Sequence, residues 1–218
     1  FCFFSFFTFL CRIFAGGMKR TLIILSAILL LLPVYCIYGY HGLGTHFQDA
    51  GREEGQTLVM FWNLENLFDW RRDTLGGNES EAEFSSFGKK HWTKRRFLAK
   101  CNAIAKSVFW VKDKEGAFPD VIGVAEVENR FVLERLLRET PLYKTDYRIV
   151  HFDSPDPRGI DVALLYRSSR LELIQAKPIA VGGGPDPPFR TREILLARFR
   201  KPDGDSLAFL VNHHPSKY

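Results

Sequence analysis

The chain of 218 residues is long enough for one ordinary globular domain with a single core and a short additional segment. Its formal net charge of +5 overstates its basic character, because Arg12, Lys19 and Arg20 all precede the first acidic residue. The remaining 27 of its 30 lysines and arginines are nearly balanced by 25 acidic residues, so global charge does not indicate a nucleic-acid partner.

The first 40 residues indicate export. Seven phenylalanines precede the first methionine, Met18, so residues 1–17 are interpreted as translated upstream sequence or a non-native segment. From Met18, two bases, an apolar run and a stretch of small and polar residues follow one another, which is the layout of a secretory signal peptide over residues 18–40. Two alternatives stay open: lipid attachment at Cys36, and retention of this segment as a membrane anchor. The protein is therefore expected to be periplasmic, secreted or membrane-anchored.

Residues 41–56 are predicted to form a linker, and residues 57–218 a domain in which strands and helices at first alternate. The pattern predicts, in order, an apolar strand at 57–63, a polar loop at 69–91, a helix at 93–112, an apolar strand at 120–126, and a helix that Asn129 caps and that ends near Glu139. Consecutive strands are then predicted at 147–152, 160–167, 171–181, 192–200 and 207–212. This order indicates an α/β protein in which helices cover packed sheets.

The helix at 93–112 combines an apolar stripe with a basic cluster. Cys101 shares the stripe with Phe97, Ile104 and Val108, at spacings of three and four residues, so it is predicted to be a buried small side chain. The bases near the start of the helix are interpreted as a solvated face, with nucleic-acid contact as the alternative; they are Lys89, Lys90, Lys94, Arg95, Arg96 and Lys100.

Polar side chains collect where three apolar strands end. The first strand ends in Asn63 and leads to Glu65, the second ends in Glu126, and the last ends in Asn212, just before two histidines. A strand end can hold such groups in a crevice from a rigid base. Carboxylate, amide and imidazole groups suit a hard divalent cation, Mg²⁺ or Mn²⁺, that holds a phosphate. Capping by Asn63 and ion pairing by Glu126 are the structural alternatives.

Four segments resemble, in the same order, successive motifs of the endonuclease/exonuclease/phosphatase (deoxyribonuclease-I-like) superfamily. They are FWNLENLFD (61–69), DVIGVAEVEN (120–129), DSPDPRGIDVALLYR (153–167) and FLVNHHPSK (209–217). The resemblance implies a four-layer α-β-β-α sandwich of two mainly antiparallel sheets. It also implies an enzyme that hydrolyses a phosphoester with the help of Mg²⁺ or Mn²⁺, and the N-terminal segment described above indicates that this enzyme is exported.

The same resemblance implies roles for individual residues. Glu126 matches the glutamate that anchors the cation, Glu65 matches a second acidic ligand found in some members, and Asn63 matches an asparagine near the metal and the scissile phosphate. Three further residues are expected to contact the substrate or to orient these groups: Arg158, Asp161 and Arg192.

Asn212 and His214 match a strand-end motif whose histidine contacts the phosphate or acts as an acid. Neighbouring side chains of a strand point to opposite faces, so only one of the two adjacent histidines can face the site. His214 is expected to face inward, and His213 to have a structural role.

Family members continue with a Gly-Asp-x-Asn motif and end with an Asp-His pair, and neither follows His214 here. The chain is therefore expected to be the N-terminal part of a domain that is incomplete at its C-terminus, and to be inactive alone.

The complete protein is expected to be a monomer. Nucleic acid, phospholipid head groups and small phosphoesters all remain open as substrates, and contact with a membrane is expected only through the N-terminal segment. The rival hypothesis is a non-catalytic, membrane-tethered binding module or a degenerate relative.

Overall fold

The structure is a computed structural model that describes residues 55–71, 83–181 and 191–214. The predictions made for residues 1–40 and for nearly all of the linker lie outside these residues. In the part of the chain that is described, no helix has the length and the apolar composition needed to cross a membrane.

Seven strands and two α-helices organise the described residues. The strands are β1 (Val59–Leu67), β2 (Val121–Val127), β3 (Tyr147–His151), β4 (Asp161–Arg167), β5 (Glu172–Ile179), β6 (Ile194–Arg200) and β7 (Ser206–Val211). The helices are α1 (Lys94–Glu115) and α2 (Arg130–Arg138), and a 3₁₀ turn follows at Pro141–Lys144. Every predicted helix and strand is therefore present, with ends that differ by at most four residues.

The strands form two sheets. The first has the order β1-β2-β4-β3; its β1–β2 pair is parallel and its other pairs are antiparallel. The second has the order β5-β6-β7 and is antiparallel throughout. Because α1 lies in the long connection from β1 to β2, these two strands can run in the same direction and end at the same edge of the sheet.

Alternation along the strands sends side chains into two cores. Ile122, Val124 and Leu165 pack with the apolar residues of α1 and α2. On the other face, Val121 and Leu164 pack with the second sheet. Helices, first sheet and second sheet thus follow one another as layers, and the α/β sandwich of two mainly antiparallel sheets is confirmed. No helix among the described residues covers the outer face of the second sheet.

Local capping explains where the helices begin. The Thr93 side chain accepts a hydrogen bond from the Arg96 N–H at 3.4 Å, and Asn129 Oδ1 accepts one from the Val132 N–H at 3.1 Å. Cys101 lies on the buried face of α1, as the sequence predicted, and burial raises the pKa of its thiol to about 12. The thiol is therefore protonated and unreactive at neutral pH.

Candidate metal centre

The parallel strands β1 and β2 are both irregular at the edge where they end. Their pairing is interrupted between Asn63 and Leu67 on β1, and the pairing of β2 with β4 is interrupted between Ala125 and Val127. The residues at these bulges adopt left-handed backbone conformations, with φ of 53° at Glu65, 65° at Asn66 and 60° at Glu126. Such conformations cost free energy in residues other than glycine and are concentrated at functional sites.

The bulge on β2 determines where Glu126 points. Regular alternation would place residue 126 with Ile122 and Val124 in the core beneath the helices. Instead Val127 enters that core, and Glu126 is turned out of it with about 16% of its side chain exposed. The local distortion therefore frees a carboxylate from an otherwise apolar strand.

Asn63 and Glu126 meet between the two neighbouring strands, next to their bulges. Asn63 Nδ2 donates a hydrogen bond of 3.0 Å to Oε1 of Glu126. The other amide atom of Asn63, Oδ1, accepts the backbone N–H of Glu65 at 2.8 Å, whereas the Glu65 side chain is exposed. Both polar atoms of Asn63 are thus engaged in fixing Glu126 and the bulge on β1.

His213 completes this group from the end of β7. Its Nε2 lies 3.6 Å from Glu126 Oε1, and about 20% of its side chain is exposed. Its Nδ1 is buried and has no hydrogen-bond partner among the described residues. Burial, followed by the charge of Arg192, lowers the pKa of the imidazole, although Glu126 acts in the opposite direction. The ring is therefore neutral at pH 7.

The choice between the two histidines is a correction to the sequence analysis. His214 was expected to face inward, but it is exposed, and His213 is the imidazole beside Glu126. Strand β7 ends at Val211, so the alternation used to assign the two faces no longer constrains the residues that follow. Asn212 is half-buried and lines a cavity between the β1 and β7 edges. The catalytic roles given to Asn212 and His214 stay predictions.

Arg192 connects His213 to the loop before β4. Its Nε donates to the His213 carbonyl oxygen at 2.9 Å, and its Nη1 donates to Asp156 Oδ2 at 3.0 Å. The Asp156 side chain also lies 3.6 Å from the half-exposed guanidinium of Arg158 and accepts the Arg158 backbone N–H at 2.9 Å. Arg192 thus orients the backbone of His213, while the Arg158 guanidinium is accessible beside it.

Asp161 holds the same loop at its base. It is buried at the start of β4 and pairs in register with Val127, the residue after Glu126. Its Oδ1 accepts from the backbone and the hydroxyl of Ser154 at 3.0 and 2.5 Å, and its Oδ2 accepts from His151 Nε2 at 3.0 Å. Among the described residues, the only close group of three candidate metal ligands comprises His151, Asp153 and Asp161, within 4.8 Å of one another.

Lys100 is a site residue that the sequence analysis placed in the solvated basic cluster. Its Nζ donates to the backbone carbonyl of Glu65 at 2.5 Å. Burial lowers the pKa of its ammonium group, while the charges of Glu65 and Glu126 raise it. The signal for this position was present in the spacing, because Lys100 follows Phe97 by three residues and precedes Ile104 by four, which puts it beside the buried stripe.

The donor set at the strand ends fits a divalent cation. Oε1 of Glu126 is engaged by Asn63, whereas Oε2 has no hydrogen-bond partner among the described residues. A carboxylate oxygen held in place by an amide, with an imidazole close by, is suited to a hard cation such as Mg²⁺, which takes one or two carboxylates and keeps several waters. In the group around Asp161, by contrast, both carboxylate oxygens already accept hydrogen bonds.

A comparison with protein-family models gives one match for this chain. The sequence model of the Endonuclease/Exonuclease/phosphatase family matches residues 58–218. No curated protein matches the chain significantly.

Three solved structures illustrate the similarity. The human Nocturnin catalytic domain with bound sulfate is 17% identical, with 73% of this chain and 49% of that chain covered and a TM-score of 0.47. An endonuclease/exonuclease/phosphatase family protein from Bacteroides thetaiotaomicron is 16% identical, with 71% of this chain and 47% of that chain covered and a TM-score of 0.44. The mannosyl-6-phosphatase of the same organism is 14% identical, with 71% of this chain and 50% of that chain covered and a TM-score of 0.43. The chain spans about half the length of each of these structures.

Proposed function

This chain belongs to the endonuclease/exonuclease/phosphatase family, and on that basis we propose that the complete protein uses Mg²⁺ or Mn²⁺ to hydrolyse a phosphoester at Glu126. Members of the family are divalent-metal-dependent hydrolases of phosphoesters. The observation that supports the proposal most directly is the pair of bulges at which Asn63 and Glu126 meet, with His213 3.6 Å away.

Each residue has a defined task in this proposal. Glu126 would hold the cation through its carboxylate, which Asn63 keeps in one orientation. A bound cation would polarise a phosphate oxygen and neutralise the charge that develops there. His213 offers a hydrogen bond to the phosphate from beside the carboxylate, and Arg158 adds a positive charge from the neighbouring loop.

The proposal is tested by Glu126→Gln in the full-length protein, with bis(p-nitrophenyl) phosphate as a generic substrate. The substitution keeps the hydrogen bond to Asn63 but removes the charge, so turnover should fall at least about hundredfold, and Mn²⁺ binding measured by calorimetry should be lost. Chelation should abolish wild-type activity, and restoring it with Mg²⁺ or with Mn²⁺ would identify the preferred ion. The matched control is Glu134→Gln, which removes a carboxylate from a surface ion pair on α2.

Near-normal turnover in the Glu126→Gln variant would remove this residue from the site. The rival hypothesis of a non-catalytic, membrane-tethered module makes a different prediction, namely metal binding by the wild-type protein without any turnover.

Export is a separate proposal that rests on the sequence of residues 18–40 alone. N-terminal sequencing of the mature protein would test it.

A further inference from the structure

A basic surface with one protruding aromatic ring lies where the chain enters α1. Phe87 is completely exposed, and every charged residue from 88 to 96 is basic, whereas Glu83 precedes it and pairs with Lys89 at 3.6 Å. We define this 87–95 surface by five exposed residues: Phe87, Lys89, Lys90, Lys94 and Arg95. The first turn of α1 contains no acidic residue. The surface is therefore positive, and its most exposed apolar group is a single ring.

The loop that carries Phe87 is tightly organised. The Ser85 carbonyl accepts backbone hydrogen bonds from both Gly88 and Trp92, at 3.1 and 2.9 Å. Phe84, three positions before Phe87, stacks on Phe68 with a centroid separation of 4.5 Å. The exposure of Phe87 is thus set by a compact turn whose other aromatic rings are packed inward.

Direct contacts place this loop beside the candidate metal centre. Trp92 Nε1 donates to the Phe68 carbonyl at 2.7 Å, just beyond the end of β1. Arg96 Nη1 donates to the Lys90 carbonyl at 2.5 Å, and one helical turn further along α1 Lys100 donates to Glu65. The bases therefore form a row along α1 from the bulge that supports Asn63 to the 87–95 surface.

From this arrangement we infer that the 87–95 surface binds single-stranded nucleic acid and leads it towards Glu126. The lysines and Arg95 contact backbone phosphates, and the Phe87 ring stacks on one base. A base within a duplex has no free face for such a ring, so the surface selects unpaired strands. The inference rests on the proposed function, which it extends by naming the class of substrate.

A phospholipid membrane fits the surface less well. Even a single myristoyl chain, with far more apolar area than one phenyl ring, gives only marginal and reversible membrane binding. One exposed ring is, in contrast, sufficient for stacking on a base, which is tolerant of sequence because every base has a flat face. Serine and glycine flank the ring, so the loop offers no second large apolar group next to it.

The test measures binding of fluorescent oligothymidylate to the full-length Glu126→Gln protein, in which hydrolysis is suppressed. Adding Phe87→Ala should weaken binding about tenfold. The matched control is Trp110→Ala, which removes another exposed aromatic ring with a lysine beside it, 16 residues beyond the start of α1, and should leave binding unchanged. When Lys89 and Lys90 are both replaced with alanine, the slope of log K against the logarithm of the salt concentration should become less negative by about 0.7 for each phosphate that the protein no longer neutralises. Replacing Lys106 and Lys114 with alanine should leave this slope unchanged.

The outcomes separate this inference from the proposed function. If the wild-type protein hydrolyses bis(p-nitrophenyl) phosphate but Phe87→Ala and Trp110→Ala bind oligothymidylate alike, the 87–95 surface is not a nucleic-acid subsite, while the proposed function stands. If Phe87→Ala weakens binding to vesicles with anionic lipids but not to oligothymidylate, the partner is a membrane and the inference is overturned. If Phe87→Ala selectively weakens oligothymidylate binding in the Glu126→Gln protein, and as a single substitution raises KM for oligothymidylate but leaves bis(p-nitrophenyl) phosphate hydrolysis unchanged, the inference is supported.

Discussion

Arg192 holds the backbone of His213 through a hydrogen bond of 2.9 Å from its Nε to the His213 carbonyl oxygen. The same guanidinium, which is almost completely buried, donates to Asp156 at 3.0 Å. A planar group with donors in fixed directions can serve both partners at once, whereas an ammonium group cannot reproduce that geometry. The position of the imidazole beside Glu126 is therefore determined by a loop that precedes β4 as well as by the segment after β7 that contains the histidine.

Replacing Arg192 should therefore change His213 before it changes the metal ligand. In full-length Arg192→Met, the His213 imidazole should titrate at a higher pH in NMR spectra. The reason is that the positive charge of Arg192, which together with burial lowers the pKa of the imidazole, is removed. The rate constant kcat should fall about tenfold or more, and Arg192→Lys, which keeps the charge, should restore the pKa better than the rate. Arg200→Met, which breaks an exposed ion pair with Glu172, is the control. Unchanged titration and unchanged kcat in Arg192→Met would contradict a positioning role.

The adjacent histidines provide a matched pair of substitutions. His213→Gln should reduce kcat for bis(p-nitrophenyl) phosphate about hundredfold, because the ring beside Glu126 is lost. His214→Gln should have an effect of less than about threefold in the same assay, since that side chain is exposed. A large loss in His214→Gln together with a small one in His213→Gln would restore the assignment made from sequence.

Asp146 should make the protein sensitive to acid. Burial disfavours its charge, but hydrogen bonds from Ser169 and Arg167 more than offset that effect and lower its pKa to about 2. A carboxyl group with a lowered folded-state pKa stabilises the protein above its unfolded pKa of about 3.9, and this stabilisation is lost as the pH falls towards 2.

The free energy of unfolding of Asp146→Asn, measured with urea, should be lower than that of the wild type by about 1–2 kcal/mol at pH 7. Near pH 2 the difference should be much smaller, because the wild-type carboxyl group is then about half protonated in the folded protein and almost fully protonated in the unfolded chain. The control is Asp203→Asn, since Asp203 is exposed on the turn between β6 and β7. A destabilisation of Asp146→Asn that is equal at both pH values would show that packing, and not charge, is responsible.

The edges of β1 and β7 should make the isolated polypeptide associate. Val59, Phe61 and Leu210 are about half or more exposed, and a cavity of about 360 Å³ lies between the two strands. Neither strand has a second pairing partner among the described residues, and apolar edges of this kind promote association.

Analytical ultracentrifugation of residues 41–218 should therefore show concentration-dependent association at micromolar protein. Phe61→Ser combined with Leu210→Ser should reduce it, whereas Phe87→Ser, which alters an exposed ring elsewhere, should not. A soluble monomer that melts cooperatively would contradict this expectation.

Periodicity was sufficient to predict the helices and strands because these elements are regular in sequence, whereas the sandwich of two sheets was implied by the family resemblance. Thr93 and Asn129 begin their helices as expected, and Cys101 is buried where its spacing placed it. The candidate site was predictable only in part. The apolar runs placed Asn63 and Glu126 at strand ends, but β1 continues to Leu67, and the bulges that aim Glu126 depend on backbone conformations that periodicity does not encode.

Contacts made by loops were the least predictable part. Asp156 lies in a turn whose composition indicates only that the chain reverses, and its contact with Arg192 depends on how two distant segments pack. The inward orientation of His213 likewise depends on where β7 ends, which shifts by one residue between the sequence pattern and the structure.

The contacts around Glu126 join positions that are far apart along the polypeptide. Asn63 and Glu126 are separated by 63 positions, Asp156 and Arg192 by 36, and Glu126 and His213 by 87. Closing loops of this size is slow, and no short peptide from the chain can reproduce the arrangement. Cation affinity would therefore arise only after both sheets have acquired their native register, and a metal titration during refolding would report the last step of assembly.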